Sequence, residues 1–457
     1  MLFVFLLLAA SCATYHPEPI APEQTAAAFD ARSLTNENLR AFLETNHVTG
    51  DWPRPSWDLN ALIFVAFYYQ PARAEARAQW ASVQATRITA GERPNPSVGF
   101  TPTYDTTTTP PWILDVTLDI PIETAGKQGK RIAQAEHLSE AARWNFISAA
   151  WQTRSRVRDA LLNLYAARES ESLLAQQEIA QSNVVRLLEG QLAVGAVSGY
   201  EVTQARVALD TTRLARQEAA GQSGQARAQL AVALGLPLSA LDQVEFSFAG
   251  LDQFPTELTR PEVRRQAVLS RPDVRGALAE YAASQSALQL EIAKQYPDIH
   301  LNPGYELDQT DNKWSLGVTL ELPILNQNGG PIAEAKAKRA EAAAHFLTVQ
   351  TMAIGEIDGA LAAYDAALHK SATAESLLQN LQRQRESVRR REQAGEAAPL
   401  ALANAEAEYA ASAQSRLDAL IKAQQALGRL EDAAQSPLTL PPETLGATAN
   451  HLSQGSK

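Results

Sequence analysis

The sequence predicts a mainly α-helical chain that carries membrane-type β-hairpins, and three observations predict it. The first is an internal duplication. Trp112–Ile122 (WILDVTLDIPI) recurs as Trp314–Ile324 (WSLGVTLELPI), the following Ile132-Ala133-Gln134-Ala135 recurs as Ile332-Ala333-Glu334-Ala335, and Gly195 has its counterpart in Gly395. The second is a set of four segments of strict apolar/polar alternation, arranged as two distant pairs. The third is a pair of stretches, Lys130 to Glu189 and Ile332 to Ala394, in which proline is absent and only Gly355 and Gly359 interrupt. At 1.5 Å per residue each of these makes roughly 90 to 100 Å of helix, which no compact domain needs.

From Ala13 to Pro55 the chain is proline-bearing and reads as an irregular, extended arm. A helix is expected from Asp58, a candidate N-cap, to about Gly91, where Pro94 and Pro96 end it. In the first alternating pair Val98, Phe100 and Tyr104 oppose Gly99, Thr101, Thr103 and Asp105, and Trp112, Leu114, Val116, Leu118 and Ile120 oppose Asp115, Thr117 and Asp119. In the second, Ile299, Leu301, Tyr305 and Leu307 oppose His300, Asn302, Gly304 and Glu306, and Trp314, Leu316, Val318, Leu320 and Leu322 oppose Ser315, Gly317, Thr319 and Glu321. Each strand is about ten residues, the length that crosses a bilayer when tilted. Turn-forming loops from Asp105 (DTTTTPP) and Asp308 (DQTDNK) close each pair.

Return helices are expected from about Tyr200 to Leu234 and from about Leu400 to Ala434. A segment from Leu238 to Thr259 links the halves, and a further helix from Pro261 to about Gln295 breaks at Pro272. The organisation is therefore an arm over residues 12–57, a first repeat over 58–260 (strands about 96–122, tip about 194–199), a second over 261–436 (strands about 297–324, tip about 394–399), and a disordered tail over 437–457.

Residues 1–11 (MLFVFLLLAAS) have the apolar core and small-residue finish of a secretory signal peptide. Leu8-Ala9-Ala10-Ser11-Cys12 resembles a bacterial lipobox, which makes Cys12 the acylated first residue of the mature protein. The resemblance, with Ala13-Thr14 following, favours outer-membrane sorting. The alternative is an ordinary buried thiol in a short anchor helix. Cys12 is the only cysteine, so acylation excludes disulfides and thiol catalysis. A formal net charge of -11 argues against nucleic-acid binding. The seven histidines (His16, His47, His137, His300, His345, His369, His451) show no pair at ligand spacing, and no phosphate-cradling glycine motif is present. No enzyme, cofactor or fixed metal site is indicated, and His300 reads as a residue of the polar strand face rather than a ligand.

Lipid offers no partner to an unpaired backbone group, so membrane strands close into edgeless barrels. Four strands cannot close, since the smallest usual barrel has about eight. The chain is thus expected to give a sector of a homo-oligomeric barrel, and dimer and trimer both satisfy the backbone. Its apolar faces point to lipid and Asp115, Asp119, Glu306 and Glu321 point to a wet lumen. A soluble sandwich is the alternative, but carboxylates repeated on the second face make a poor core.

The duplicated hairpin-and-helix plan, the strand endings Ile120-Pro121-Ile122 and Leu322-Pro323-Ile324, the glycines Gly195 and Gly395, and Leu234-Gly235-Leu236-Pro237 resemble the TolC family of outer-membrane efflux proteins from Trp57 to Ser436. The segments DLNALIFVAFYYQPARAEARAQ, RPNPSVGF and RPDVRGA look most like its heavy-metal resistance-nodulation-division branch. The resemblance implies a trimer with a twelve-stranded barrel in the outer membrane of a Gram-negative bacterium, continued by a helical periplasmic tunnel. It also implies two partners, a periplasmic adaptor (membrane fusion protein) and an inner-membrane pump of the resistance-nodulation-division type, with the pump choosing the cargo. A lipid-anchored coiled-coil adaptor or scaffold is the rival reading, although an adaptor carries one helical hairpin set in soluble β-domains.

By the same resemblance, the turns holding Gly195 and Gly199, and Gly395 and Pro399, are periplasmic tips that close the tunnel and meet the adaptor. Acidic rings one turn inside such tips map to Glu201 and Gln204 in the first repeat and to Ala401 and Asn404 in the second, so only Glu201 keeps a charge. A carboxylate ring in a narrow pore attracts cations. Glu201 also suits the first turn of a helix through the macrodipole. Arg383, Arg385, Arg389, Arg390 and Arg391 either dock an acidic adaptor surface or form a solvated face.

Overall fold

The computed structural model describes residues 13–255 and 260–438, so Cys12, the expected leader and the tail beyond residue 438 lie outside the described residues. The arm is not irregular throughout, as expected, but holds two helices, α1 (Pro22–Asp30) and α2 (Glu37–Thr45). Pro22 sits in the first turn of α1, where its missing N–H costs nothing. Asn36 caps α2 by accepting from the backbone N–H groups of Asn38 at 2.8 Å and Leu39 at 3.3 Å, a cap that contributes about 1 kcal/mol.

The single helix expected from Asp58 is two, α3 (Leu59–Tyr69) and α4 (Pro71–Gly91). Asp58 caps α3 by accepting from the Ala61 N–H at 2.8 Å. Gln70 is forced out of the helical region (φ -72, ψ 119) by the proline that follows it. α3 is apolar all round and is buried accordingly. Leu62 and Val65 pack in one core with Leu43 of α2 and with Leu161 and Leu230 from the long helices that follow, and each fully buried leucine contributes roughly 1.5–3 kcal/mol.

After β1 (Ser97–Tyr104) and β2 (Trp112–Ile122), α5 (Lys127–Ala193) runs for 67 residues and α6 (Gly199–Leu234) returns. A short 3-10 turn at Leu238–Leu241 opens the link to α7 (Arg260–Ser270) and α8 (Pro272–Ala293), and β3 (Ile299–Asp308) and β4 (Asp311–Leu320) follow. α9 (Gly329–Gln393) runs for 65 residues and α10 (Pro399–Ala434) returns. At 1.5 Å per residue α5 and α9 are each about 100 Å long.

One device is used twice at mid-length. The returning helix α6 ends where α4 begins, and the Gln70 side-chain amide donates to carbonyls of the last turn of α6, Val232 O at 2.5 Å and Ala233 O at 2.8 Å. α10 ends where α8 begins, and the buried Arg271 guanidinium donates to Ala433 O at 2.8 Å while pairing with Asp273 at 2.6 Å and Glu356 at 2.8 Å. Each residue precedes the proline that starts the stacked helix, so the terminal carbonyls of one helix are satisfied by the first residue of the next. The arm reinforces the first junction through Arg32, which donates to Tyr69 O at 3.1 Å and Gly235 O at 2.7 Å. Gly235 is left-handed (φ 73), and a Cβ there would stand 3.0 Å from Tyr69 O, so only glycine fits the junction.

The repeats join along α5 and α10 through buried charge. Arg154 donates to Glu431 Oε2 at 2.9 Å, and both are almost fully buried. Arg158 donates to the backbone oxygen of Gln424 at 2.7 Å. Its guanidinium lies where a Cβ on residue 428 would stand, 2.0 Å from the Nη1 position, and the sequence supplies Gly428.

The two hairpins form one antiparallel meander, β1-β2-β3-β4, because β2 pairs with β3 from Ile113↔Asp308 to Ile122↔Ile299. β4 starts earlier than the alternation suggests and ends at Leu320, so Glu321 and Leu322 lie just past it. Both outer strands, β1 and β4, leave an unpaired edge in the chain.

Candidate functional site

The register sorts the sheet into two faces. Rows such as Phe100↔Val116↔Tyr305↔Trp314 and Ile122↔Ile299↔Leu320 make one face apolar, and it is uncovered, with Trp314 81% and Leu316 74% exposed. Tyr104 packs on Trp112 with ring centroids 5.0 Å apart, and Tyr305 on Trp314 at 4.8 Å, both at the turn end of the hairpins. An uncovered apolar face with aromatic rings at its margin is the arrangement of a lipid-facing strand set.

The opposite face is polar row by row. Thr101↔Asp115↔Glu306↔Lys313 forms one rung and Gly99↔Thr117↔Gly304↔Ser315 another. Lys313 Nζ donates to Glu306 at 3.2 Å and to Asp308 at 2.5 Å. Nearer the helices, Asp119 accepts from His300 Nδ1 at 2.9 Å and from Asn302 Nδ2 at 3.2 Å, and Thr319 Oγ1 donates to Asn302 Oδ1 at 2.9 Å. Of the four acids singled out from the sequence, Asp115, Asp119 and Glu306 share this face. Glu321 is exposed beyond the end of β4.

Sheet and helices are fastened by a buried lysine that periodicity did not reveal. Lys127, 7% exposed in the first turn of α5, donates to Asp298 at 2.7 Å and to Tyr296 O at 2.7 Å. Asp298 also accepts from the Thr124 N–H at 2.9 Å.

At the far end the two tips are built alike. Gly195 (φ 74) and Gly395 (φ 75) take the left-handed conformation that closes α5 and α9. Ala196 N donates to Gln191 O at 2.9 Å, and Glu396 N to Arg391 O at 2.8 Å. Gly199 and Pro399 then start the return helices. Glu201, Gln204, Ala401 and Asn404 all lie exposed within the first two turns. Ser198 Oγ accepts from the Glu201 N–H at 3.4 Å, and Gln204 Nε2 donates to the Tyr200 hydroxyl at 3.0 Å. Of the four, Glu201 alone is acidic.

Below the tips each hairpin is clamped by ion pairs between its two arms. Arg206 meets Glu189 at 2.5 Å, and Glu178 receives Arg216 at 2.8 Å and Arg213 at 3.1 Å. In the second hairpin Arg389 meets Glu406 at 3.2 Å and Arg416 meets Glu375. Hydrogen bonds from Arg216 and Arg213 hold the Glu178 carboxyl below its usual range, and Arg416 does the same for Glu375. The pairs nearest the tips are legible by reflecting the sequence about the middle of each turn, between residues 197 and 198 and between 397 and 398, which brings Glu189 onto Arg206 and Arg389 onto Glu406. Arg385 lies 4.0 Å over the Tyr409 ring, and Arg383 donates to Asn380 at 2.6 Å. The arginines near the second tip are thus partly consumed within their own hairpin.

The sequence profile of the outer membrane efflux protein family matches residues 70–236 and 263–434. The chain belongs to that family. The profile leaves out the arm and most of the inter-repeat link, which fits the duplication seen in the strands and tips. Among curated relatives of this efflux protein, the cobalt-zinc-cadmium resistance protein CzcC of Cupriavidus metallidurans is 27% identical over 220 residues, 48% of this chain and 52% of CzcC. The probable outer membrane lipoprotein SilC of Salmonella typhimurium is 23% identical over 306 residues, 62% of this chain and 65% of SilC. The match to CzcC thus spans about half the length of that relative.

Solved structures show the fold. The outer membrane channel CmeC of Campylobacter jejuni superposes with a TM-score of 0.65 at 17% identity, covering 86% of this chain and 89% of that one. The open state of the Neisseria gonorrhoeae channel MtrE gives 0.67 at 17% identity over 83% and 89%. The expected fold class, mainly helical with duplicated membrane hairpins, stands.

Proposed function

We propose that this efflux protein is one third of a trimeric outer-membrane channel, the passive exit duct of a tripartite efflux system. The observation that carries the reading is the four-stranded meander with two open edges and an uncovered apolar face. In lipid those edges demand partners, and three copies supply a twelve-stranded wall whose polar face, with Asp115, Asp119 and Glu306, turns to water. The helices then extend about 100 Å into the periplasm. An adaptor and an inner-membrane pump engage the tips and open them, and the pump selects the cargo. Similarity to proteins named for cobalt-zinc-cadmium and nickel-cobalt-cadmium resistance supports divalent heavy-metal cations as the cargo class.

In the same reading residues 1–11 are a removed leader and Cys12 is the acylated anchor of the arm. Residues 58–260 and 261–436 are the two repeats, and 437–457 form a tail. Glu201 contributes the one charged position of the periplasmic constriction. The reading is tested by membrane fractionation with gel analysis. A heat-sensitive trimer in the outer-membrane fraction is expected, and a water-soluble monomer overturns it. In planar bilayers Glu201→Gln is expected to lower cation preference, and unchanged selectivity removes Glu201 from the constriction.

A further inference from the structure

We infer that His300 is a transient binding point for transition-metal cations on the wall of the barrel. The inference rests on the reading above that the polar face lines a water-filled lumen. An ionised carboxylate only accepts hydrogen bonds, so the 2.9 Å contact between His300 Nδ1 and Asp119 Oδ1, with the second oxygen at 3.1 Å, places the ring proton on Nδ1. The neutral ring then keeps its lone pair on Nε2. The imidazole is 39% exposed on the polar face; among the described residues Asp119 is its side-chain hydrogen-bond partner, and Asp298 is a further electrostatic neighbour. Asp119 is itself held by Asn302 at 3.2 Å, and Asn302 by Thr319 at 2.9 Å, so three strands fix the orientation of one ring. A carboxylate that takes one ring N–H and leaves the other nitrogen free is the arrangement that orients and strengthens histidine as a metal ligand.

Among the described residues no group of three or more His, Cys, Asp or Glu side chains is placed to hold a metal ion. The wall holds no three-ligand cage there, and in this inference His300 acts through Nε2 as a single donor. A single donor suits a duct, because conduction requires binding strong enough to admit an ion and weak enough to release it. Imidazole favours zinc, nickel and copper over magnesium, whereas a carboxylate field does not discriminate in this way. Asp115 and Glu306 lie on the same face, beyond the intervening rung of Thr117 and Gly304.

The test uses zinc or magnesium chloride with the purified full-length trimer in lipid vesicles, labelled by diethyl pyrocarbonate and read by mass spectrometry. Labelling of His300 is expected in the absence of metal. Zinc is expected to suppress it in a concentration-dependent way, magnesium is not, and the helix residue His345 is expected to show no such suppression. In Asp119→Asn the zinc concentration needed should rise about 10–100-fold, the range seen when a ligand's supporting carboxylate is lost. In bilayers the zinc-specific fall in single-channel current should vanish in His300→Ala while the current in potassium chloride persists. Equal protection by magnesium, or none by zinc, overturns the site alone. A His300 that water-borne reagent never reaches overturns the lumen reading with it.

Discussion

The two repeats share one architecture yet differ at mid-length, and the difference separates a fixed seam from a deformable one. In α5 the stretch around Arg154, Arg158 and Asp159 is glycine-free and bound to α10 through Glu431 and the backbone oxygen of Gln424. Two hundred residues later α9 carries Gly355 at the position of Ser155, Asp358 at that of Arg158 and Gly359 at that of Asp159. On the returning helices, Glu431 and Gly428 correspond to Ala231 and Ala228 of α6. The buried charges belong to the junction between repeats of one chain, where the partner is covalently guaranteed. The equivalent positions of α9 are exposed in the chain, and there the small residues Gly355 and Gly359 stand beside the acids Glu356 and Asp358. A charge that must be desolvated is tolerable only where its counter-charge is always present.

Removing Glu431 should break this seam hardest. Glu431→Ala leaves the buried Arg154 guanidinium without its ion-pair partner and Arg158 with Asp159 at 3.7 Å, and a loss of about 3–5 kcal/mol is expected. Gly428→Ala should act through the same contact by expelling Arg158. Trimer melting monitored by gel or circular dichroism measures both, and an effect no larger than that of Ala231→Ser would erase the distinction between the repeats.

The glycines of α9 should respond in the opposite direction. A Cβ at Gly355 or Gly359 meets nothing within 4 Å in the chain, so Gly355→Ala and Gly359→Ala should each stabilise the helix by about 1 kcal/mol. If the pair provides the give that tip opening needs, the double variant melts higher and exports less. Higher melting with unchanged export would mean that α9 bends elsewhere.

Acid should loosen both hairpins alike. The Glu178 and Glu375 carboxyls are held below their ordinary value of 4.5 by arginine partners. Their contribution is therefore full above that value and is lost as pH falls toward the depressed folded pKa. Hydrogen exchange below the tips should rise below about pH 4.5, and Glu178→Gln should remove the pH dependence in the first hairpin only.

The smallest effect is expected at Tyr364. Its hydroxyl is buried without a hydrogen-bond partner, and burial pushes its pKa up to about 12. Tyr364→Phe should leave stability unchanged or raise it by up to about 1 kcal/mol.

What the sequence disclosed follows from periodicity. Alternation at Trp112–Ile120 and Trp314–Leu322 named both faces of the sheet, and the long breaker-free runs named α5 and α9. The helices of the arm were obscured because prolines were counted as breakers, although Pro22 occupies the turn where it is harmless. The break at Gln70-Pro71 is hidden by the strong helix formers that follow it (ARAEARAQ), which extend the helical pattern past the proline. Gln70, Arg271, Arg158 and Gly428 carry no periodic signature, since each matters only for the carbonyl or guanidinium that the folded chain brings to it. The polar-face expectation for Asp115, Asp119 and Glu306 agrees with the register, while the constriction around Glu201 depends on neighbouring copies.

The near-equal lengths of α5 and α9, 67 and 65 residues, carry both tips nearly the same distance along their helices. Three chains arranged as proposed would therefore present six similar prongs rather than three, a nearly hexagonal rim on a three-fold body. Local differences such as Gly199 against Pro399 and Glu201 against Ala401 would distinguish one prong of a chain from the other.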